Sequence, residues 1–397
     1  MTATRAARHA AAGLLRLVEA GHPPLAVAVA QHGAVAVWDA LRAGRTGVGL
    51  SRELTAAAAA RAVGYDPADD LQRAADCGAR LVCPQDDEWP GHRLGWQVQP
   101  LLEPPPLALW VRGEPRLDVV VERSVAVVGA RAATRYGTYL ATEWSRVAAE
   151  RGWTVVSGGA YGIDVAAHRG ALLAEAGTGA PTVAVLACGV DVCYPRGNDR
   201  VLAEVAARGL VVSELPPGAH PTRRRPIVRN RLIAALARGT VVVEAAVRSG
   251  SLATAERARL LHRSVMAVPG PVHAPMSAGC HQQLRAGAVC VTSVSEVLEH
   301  AGAVGEELAP VPRGPETIRD TLPEVVRRVL DAVPVRRGAG VAVLAREAGV
   351  PVLTVQQVLP PLLTHGLVER TDDGWRLTAL GAGAPPRRSG EVTVGRR

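Results

Sequence analysis

The sequence predicts an α/β fold with a doubly wound parallel sheet at its centre. From Ser124 onward, short apolar runs such as SVAVVGA, WTVVSGG and TVAVLACG alternate with longer amphipathic runs. Strands that are apolar on both faces are typical of parallel sheets covered by helices on each side. Gly-rich turns follow several of these runs, at the strand ends where such sheets bind ligands. We therefore expect an extended Rossmann-like domain.

The residues before this domain predict a small helical domain at 1–75, similar to SAM or helix-hairpin-helix domains. Segments such as RHAAAGLLRLVEAG and SRELTAAAAARAVG have apolar residues at helical spacing. A bridging stretch follows, with a triple proline that cannot lie inside a helix and with ends of strand composition. The Rossmann-like domain is placed at 76–302, with SVSEVLEH as its closing helix.

The C-terminal part is predicted to be a linker at 303–315, a winged-helix domain at 316–380 and a disordered tail at 381–397. Three helical segments precede LVERTDDGWRLTA, which has the pattern of a β-hairpin. Pro360 and Pro361 lie in the third helical segment. Since a proline in a helix interior costs about 3 kcal/mol, we expect this helix to be short or bent.

Composition restricts the possible partners only weakly. The chain carries 45 basic and 37 acidic residues, a net charge of +8, and every basic residue is Arg. Genome base composition explains the missing Lys better than selection for phosphate binding, so only the excess charge points to an anionic partner. The chain has no membrane-length apolar run and no signal peptide, which predicts a cytoplasmic protein without a membrane partner. Six scattered cysteines predict buried free thiols and no metal or cofactor site.

The loop after the first parallel strand is the first candidate site. Gly129 permits a tight turn, and Arg131 and Thr134 offer donors to a phosphate at the start of the following helix. The loop matches neither the G-x-G-x-x-G dinucleotide fingerprint nor a Walker loop. An ordinary turn between strand and helix is the alternative interpretation.

The loop after the second strand, SGGAYGID, brings three glycines to a strand end, which suggests close approach of the backbone to a ligand. Asp164 lies in the first turn of the next helix, where the helix dipole stabilises a carboxylate. Asp164 and His168 are four residues apart and could pair. We expect this pair to orient the loop, with a catalytic role as the alternative.

Three further loops complete the set. The third, CGVDVCYP, leads to Asn198, and the fourth precedes a helix with five arginines within nine positions, Arg223 to Arg231. A solvated basic face is the usual meaning of such a run, but its place at a strand end favours phosphate binding. The fifth, RSGSLATA, follows Glu244 and is a small polar turn into a helix.

Taken together, these motifs resemble those of the DNA-processing protein A family (DprA, also called Smf). GARAATRYG, SGGAYGIDVAAH, CGVDVCYP, SELPPG, RNRLIAAL, VVEAAVRSGSLATA and AVPG occur in the family's order and spacing. The resemblance covers about 78–300. It implies a protein that binds single-stranded DNA, dimerises and loads the recombinase RecA in DNA processing and natural transformation. No enzymatic turnover is expected, because the Walker and dinucleotide loops are absent and Thr254 stands where a hydrolase would have Glu. The family has Phe-Pro shortly before Arg-Asn-Arg. Here that stretch, 225–228, is Arg-Pro-Ile-Val and has no aromatic ring.

The predicted site for single-stranded DNA and its phosphates is made of residues from these loops: Gly129, Arg131, Thr134, Tyr136, Gly137, Ser157, Gly158, Gly159, Gly162, Asp164, His168, Gly189, Asp191, Tyr194, Asn198, Arg225, Arg229, Asn230, Arg231, Glu244, Ser249, Gly250, Ser251 and Thr254. Among them, Arg131, Arg229 and Arg231 are predicted to contact phosphates, and backbone N–H groups of the Gly129 and Gly158-Gly159 loops to assist. Asn230 is placed to hold either a base or the loop.

Two other functions remain open from the sequence. Nucleotide phosphoribohydrolases have a related fold and a Gly-Gly-x-Gly-Thr-x-x-Glu turn, but alignment puts Thr254 where the Glu should be and Glu256 two residues too far on. A winged-helix regulator with a nucleotide-sensing α/β domain is the second alternative. The prolines in the third helix and the acidic hairpin tip, Asp372-Asp373, argue against it.

Overall fold

The computed structural model describes residues 2–91, 104–175, 179–303, 305–310 and 318–382. The chain divides into two compact units, Met1–Pro310 and Val311–Arg397. The five-part division expected from the sequence stays a prediction, and most of its linker and tail lie outside the described residues.

A nine-stranded sheet forms the centre of the first unit, with the order β1-β2-β6-β5-β4-β3-β7-β8-β9. Neighbouring strands are parallel from β6 through β9 in this order. At the β6 side, β2 pairs antiparallel with β6, and β1 pairs antiparallel with β2. The strands are β1 (Ala79–Val82), β2 (Leu109–Arg112), β3 (Ser124–Val128), β4 (Thr154–Ser157), β5 (Thr182–Val185), β6 (Leu210–Ser213), β7 (Gly239–Val242), β8 (Ser264–Ala267) and β9 (Val289–Cys290).

Helices cover both faces of this sheet. Alternate residues of one strand enter different cores: Val125 and Val127 lie in one apolar cluster, and Ala126 and Val128 in the other. The predicted large parallel sheet with flanking helices is therefore confirmed. The helices, apart from a 3₁₀ turn at Arg196–Asn198, are α6 (Leu117–Val120), α7 (Arg135–Glu150), α8 (Ile163–Leu173), α9 (Asp199–Arg208), α10 (Arg225–Ala235), α11 (Ser251–Leu260), α12 (Ala278–Arg285) and α13 (Val294–Ala301).

The strand order reverses between β3 and β7. The chain runs from β3 outward to β6 on one side, then returns through α10 to β7 on the other side. In open α/β sheets this reversal opens a crevice at the carboxyl ends of the strands, where ligands bind.

Helices precede the sheet at the start of the chain, and the first and the last of them pack against it. They are α1 (Arg5–Leu17), α2 (Pro23–His32), α3 (Ala34–Arg42), α4 (Arg52–Ala62) and α5 (Pro67–Asp76). Ala11 and Leu15 of α1 share an apolar cluster with Trp110 of β2 and Val211 of β6. The first helix is therefore joined to the sheet through a common core.

In its described residues, 318–382, the second unit contains a 3₁₀ turn (Ile318–Thr321), three helices and a β-hairpin. The elements are α14 (Glu324–Ala332), α15 (Val341–Ala348), α16 (Val352–Thr364), β10 (Val368–Thr371) and β11 (Gly374–Leu377).

Of the two expected effects of the prolines, the bend stays a prediction and the shortening is wrong, because α16 runs through Pro360 and Pro361 to Thr364. Their missing N–H groups would have bonded to the carbonyls of Gln356 and Gln357, four residues earlier. Those two residues are exposed, so water can satisfy the carbonyls, while Leu359 and Leu362 pack in the core.

Two other expectations can be compared with the structure. In the described part of the chain, no single helix is long and apolar enough to cross a membrane; α2 and α3 together reach that length and composition but bend by 117°. Cys83, Cys188 and Cys280 are buried free thiols as expected, whereas Cys193 and Cys290 are exposed, contrary to the expectation.

Candidate nucleic-acid interface

A crevice of about 460 Å³ lies at the strand reversal. Residues from the loops after β3, β4 and β7 line it together with α10, so the structure brings together several predicted residues that are distant in sequence. The predicted residues that line the crevice are Gly129, Arg131, Asp164, Arg229, Asn230, Ser249, Gly250, Ser251 and Thr254.

Two arginines on the wall of this crevice are exposed, Arg131 after β3 and Arg248 after β7. Among the described residues, neither guanidinium has a hydrogen-bond or ion-pair partner. A free guanidinium offers five N–H donors in a geometry that matches phosphate oxygens. These two side chains are therefore the ones that can receive an anion without breaking a contact within the protein.

Tyrosine rings lie beside Arg131. A smaller cavity of about 120 Å³ adjoins the crevice and is lined by Arg131, Tyr161 and Tyr194. The two tyrosines are 49% and 47% exposed, and Tyr136 at the start of α7 is 49% exposed. Exposed rings beside a cation are the groups on which unpaired bases stack.

The start of α7, predicted to bind a phosphate, already holds a carboxylate of the protein. Glu244 is buried and accepts hydrogen bonds from the Thr134 backbone N–H (2.9 Å) and the Thr134 hydroxyl (2.6 Å). The same hydroxyl accepts from the Gly137 N–H at 3.2 Å. The prediction that Thr134 donates to a phosphate is revised, because Glu244 occupies its donors.

The loop after β4 is held in the same way by Asp164, which is buried. The Ala160 and Gly158 backbone N–H groups donate to its carboxylate. Burial raises the pKa of Asp164, while attraction to Arg229 and these two N–H groups oppose that rise. Gly162, with φ of +79°, makes the left-handed turn into α8 that L-residues with side chains rarely adopt.

Arg229 is not presented to solvent. Its Nη1 donates to the carbonyls of Gly158 (2.6 Å) and Val185, and the side chain is buried under the crevice. A Cβ on Gly158 would lie 2.5 Å from this nitrogen, which explains the glycine there. Burial lowers the pKa of Arg229, opposed by the nearby Asp164. We revise its predicted role from phosphate contact to support of the loops after β4 and β5.

Arg231 is likewise buried. Its Nη2 makes a short ion pair with Glu214 at the end of β6, and both side chains are less than a tenth exposed. Breaking a buried pair leaves a charge in the protein interior and is costly. The predicted phosphate contact of Arg231 is therefore replaced by a contact within the protein.

His168 does not pair with Asp164 as predicted. It is fully buried, and its Nδ1 makes a 2.7 Å hydrogen bond with the Thr182 hydroxyl of β5. Burial lowers the pKa of His168 to about 3, with a smaller contribution from the positive charge of Arg229. The residue is a neutral part of the core.

Most remaining predicted residues hold the loops in place. The Asn198 amide donates to the Gly159 carbonyl (3.0 Å), and Asp191 accepts from the Gly218 N–H (2.8 Å). The Ser157 hydroxyl donates to a carbonyl of β3, and the Gly189 N–H to the carbonyl of Ala219.

The loops around α10 and α11 are fixed by their own side chains. Asn230 donates to the Gly250 carbonyl at 3.1 Å, so of its two expected uses the structure has it hold the loop. Ser249 and Ser251 share a hydrogen bond between their hydroxyls at 2.7 Å. Arg225 makes an ion pair with Glu19, outside the crevice.

Three exposed residues were not among the predicted ones. Arg248 and Ile227 line the crevice, and Arg196 follows Tyr194-Pro195. Ile227 belongs to the stretch 225–228, which replaces the family's Phe-Pro. Each of the two arginines lies in the connection that follows a parallel strand. That position is the sequence feature that could have marked them as site residues. The sequence could not separate them from the arginines that fold inward.

Thr254 and Glu256, the two residues that the alignment compares with the hydrolase Glu, lie in different surroundings. Thr254 is buried and lines the crevice, whereas Glu256 is on the exposed side of α11 with Arg259 at 3.2 Å. The structure therefore places the carboxylate outside the crevice, in agreement with the alignment.

The fold and the crevice define a doubly wound α/β protein with exposed arginines at its strand reversal. The family model of DNA recombination-mediator protein A matches residues 80–302. The putative DNA processing protein DprA of Mycobacterium tuberculosis is 44% identical over 379 residues, covering 93% of this chain and 94% of that protein. Protein Smf of Escherichia coli is 35% identical over 277 residues, 68% of this chain and 71% of that protein.

A solved structure agrees with these relatives. The X-ray structure of DprA from Streptococcus pneumoniae matches with a TM-score of 0.60 and 30% identity, covering 75% of this chain and 98% of that one. The chain therefore belongs to the DNA recombination-mediator protein A family of DNA-processing proteins. The resemblance identified from the sequence motifs is confirmed.

Proposed function

We propose that the protein binds single-stranded DNA in the crevice at the strand reversal, without chemical turnover. The observation that carries this proposal is the pair Arg131 and Arg248, which are exposed and whose guanidinium groups have no hydrogen-bond or ion-pair partner among the described residues, beside the exposed rings of Tyr161 and Tyr194. Arginine contacts to phosphate supply affinity, and the rings supply stacking surfaces for bases.

The site favours single strands and is indifferent to sequence. Stacking on a tyrosine needs a base that is not already stacked in a duplex, and every base has a face that can stack. Phosphates carry no base information, so arginine contacts do not discriminate among sequences. The backbone N–H groups of Thr134, Gly158 and Ala160 are already bonded to Glu244 and Asp164 and do not read the ligand.

Fluorescence anisotropy on a labelled oligonucleotide, over a salt series, tests this proposal. Arg131→Ala and Arg248→Ala are each expected to weaken binding by about 1–3 kcal/mol and to flatten the slope of log K against log salt by about 0.7. Arg52→Ala is the matched control, because Arg52 is exposed at the start of α4 and does not line the crevice.

Equal affinity and slope for both crevice variants and the control would refute the site. A duplex of the same length is expected to bind more weakly than the single strand, and the reverse order would favour a duplex-reading regulator. Incubation with adenosine monophosphate or nicotinamide cofactors is expected to give no product; multiple turnovers would establish an enzyme.

Recombinase loading is the wider role that we propose, on the basis of family membership. In this role the protein is a cytoplasmic homodimer that protects single strands during DNA processing and transformation and passes them to RecA. A pull-down with the cognate recombinase and light scattering at micromolar concentration test the two interactions. A monomer that does not retain RecA would reduce the role to DNA binding.

For the second unit we propose a winged-helix domain. Its three helices and two-stranded hairpin have the element order of that class. The hairpin turns at two acidic residues, Asp372 and Asp373, which disfavour contact with phosphates. We therefore assign DNA binding to the crevice in the first unit.

A further inference from the structure

The segment between β6 and α10, residues 214–224, is defined here as the arginine loop. It carries Arg223 and Arg224, which are exposed and whose guanidinium groups lack hydrogen-bond or ion-pair partners among the described residues. Both line a cavity of about 550 Å³ whose wall also includes Arg229, a residue that lines the DNA crevice as well. The arginine loop is therefore next to the crevice.

The N-terminal helices hold this loop from one side through Arg16 of α1. The Arg16 Nη2 donates to the Pro217 carbonyl at 2.7 Å. The same side chain is fixed by the fully buried Asp70 of α5, which also accepts a 2.7 Å hydrogen bond from the Tyr65 hydroxyl. A partly buried network centred on Asp70 thus holds the first half of the arginine loop.

Glu19, just beyond the end of α1, holds the other end. Its two carboxylate oxygens accept from Arg225 Nε (3.1 Å) and Nη2 (2.7 Å), a bidentate pair. Arg225 also donates to the His220 carbonyl inside the loop, and its side chain is mostly buried. Arg225 therefore ties α1 to the loop and leaves Arg223 and Arg224 exposed.

We propose that the N-terminal helices are part of the DNA site, with Glu19 and Arg16 as positioning residues that hold Arg223 and Arg224 beside the crevice. Neither positioning residue needs to touch DNA. The proposal rests on the proposed function, and it gives the N-terminal helices a role in affinity that their sequence does not indicate.

The direction in which one substitution changes DNA affinity separates this proposal from simple charge repulsion. Glu19 is negative and two-thirds exposed, so if it only repelled phosphates, removing its charge would strengthen DNA binding. If it holds the arginine loop, the same change weakens binding. We expect Glu19→Gln to bind single strands about two- to fivefold more weakly, the effect of one partly exposed ion pair.

Anisotropy titrations should compare wild type, Glu19→Gln and the control Glu53→Gln, which removes an exposed charge in the first turn of α4. The control is expected to bind as wild type does. The same Glu19 change is then made in an Arg223→Ala/Arg224→Ala background. Because Glu19 acts through these arginines, its effect should disappear there. Unchanged or tighter binding by Glu19→Gln, or an equal loss in both backgrounds, would overturn the proposal.

Hydrogen exchange without DNA gives a second readout that does not depend on the proposed function. Peptides covering 214–224 are expected to exchange faster in Glu19→Gln than in wild type, with peptides of the central strands unchanged. Equal exchange would show that Glu19 does not hold the loop. If wild type fails to bind single strands, the proposed function and the affinity role of Glu19 both fail, while the exchange data still decide whether the contact orders the loop.

Discussion

Two sets of arginines at the crevice differ in what their guanidinium groups contact. The inner pair, Arg229 and Arg231, donates to main-chain carbonyls and to a buried carboxylate. The outer pair, Arg131 and Arg248, is exposed and has no such partners in the described part of the chain. The inner pair lies in a dense run of arginines on one helix, whereas the outer pair consists of single residues on separate loops.

This difference shows that a cluster of basic residues in sequence is not by itself a phosphate site. An arginine that enters the interior has to satisfy its donors there, and the carbonyls at strand ends are the available acceptors. The inner pair therefore stabilises the loops, and the outer pair remains available to a ligand.

The largest expected effect comes from removing an inner arginine. Arg229→Leu should lower the free energy of unfolding by about 3–5 kcal/mol, because Asp164 keeps a buried charge without its neighbouring cation. Arg131→Ala should change it by less than about 0.5 kcal/mol, as exposed substitutions do. Urea denaturation followed by circular dichroism measures both. Similar stability for the two variants would remove the distinction between the pairs.

The pH dependence of stability tests whether the buried His168 stays neutral in the folded protein. His168 has a folded-state pKa lowered to about 3 from an ordinary value of 6.5, so the unfolded chain binds its proton first as the pH falls. Stability from this residue is complete above pH 6.5 and is lost between about pH 6.5 and 3, by about 1.4 kcal/mol per pH unit.

Urea midpoints at pH 7.5, 6 and 5 measure this loss. His168→Gln should show a flatter dependence over that range, and His32→Gln, at an exposed position, should follow wild type. Parallel curves for wild type and His168→Gln would mean that His168 does not remain neutral in the folded protein.

The smallest expected effect tests whether the first unit is sufficient for binding single strands. Because the crevice lies within the first unit, deleting Val311–Arg397 should change single-strand affinity by less than about threefold, or about 0.7 kcal/mol. Anisotropy on the truncated protein, with folding confirmed by circular dichroism, gives the value. A loss of more than tenfold would place DNA contacts in the second unit.

The sheet and its connections could be predicted from the sequence because they depend on local patterns. Runs such as 124–128 and 182–185 are apolar after a single hydroxyl residue, which specifies strands buried on both faces. The full length of the helix through Pro360 was not predicted, because its stability comes from Leu359 and Leu362 in the core, a tertiary contribution that exceeds the local cost of proline.

The location of the crevice could also be predicted, but not the assignment of donors within it. Glu244 follows a strand in the sequence, and nothing local indicates that its carboxylate bonds to Thr134 across the sheet edge. The inward direction of Arg229 depends in the same way on the space at Gly158. Such pairings between distant segments become visible only once the strands are assembled.

The carboxylate of Glu244 at the start of α7 has a consequence for how the affinity of this protein is measured. It acts as a permanent counter-ion, and the positive end of the helix dipole is already neutralised before any ligand arrives. A phosphate near this helix start then gains little from the helix dipole, and each phosphate bound by an arginine displaces condensed cations from the strand. The steepness of a salt titration therefore reports the arginines that bind the strand, with little contribution from the start of α7.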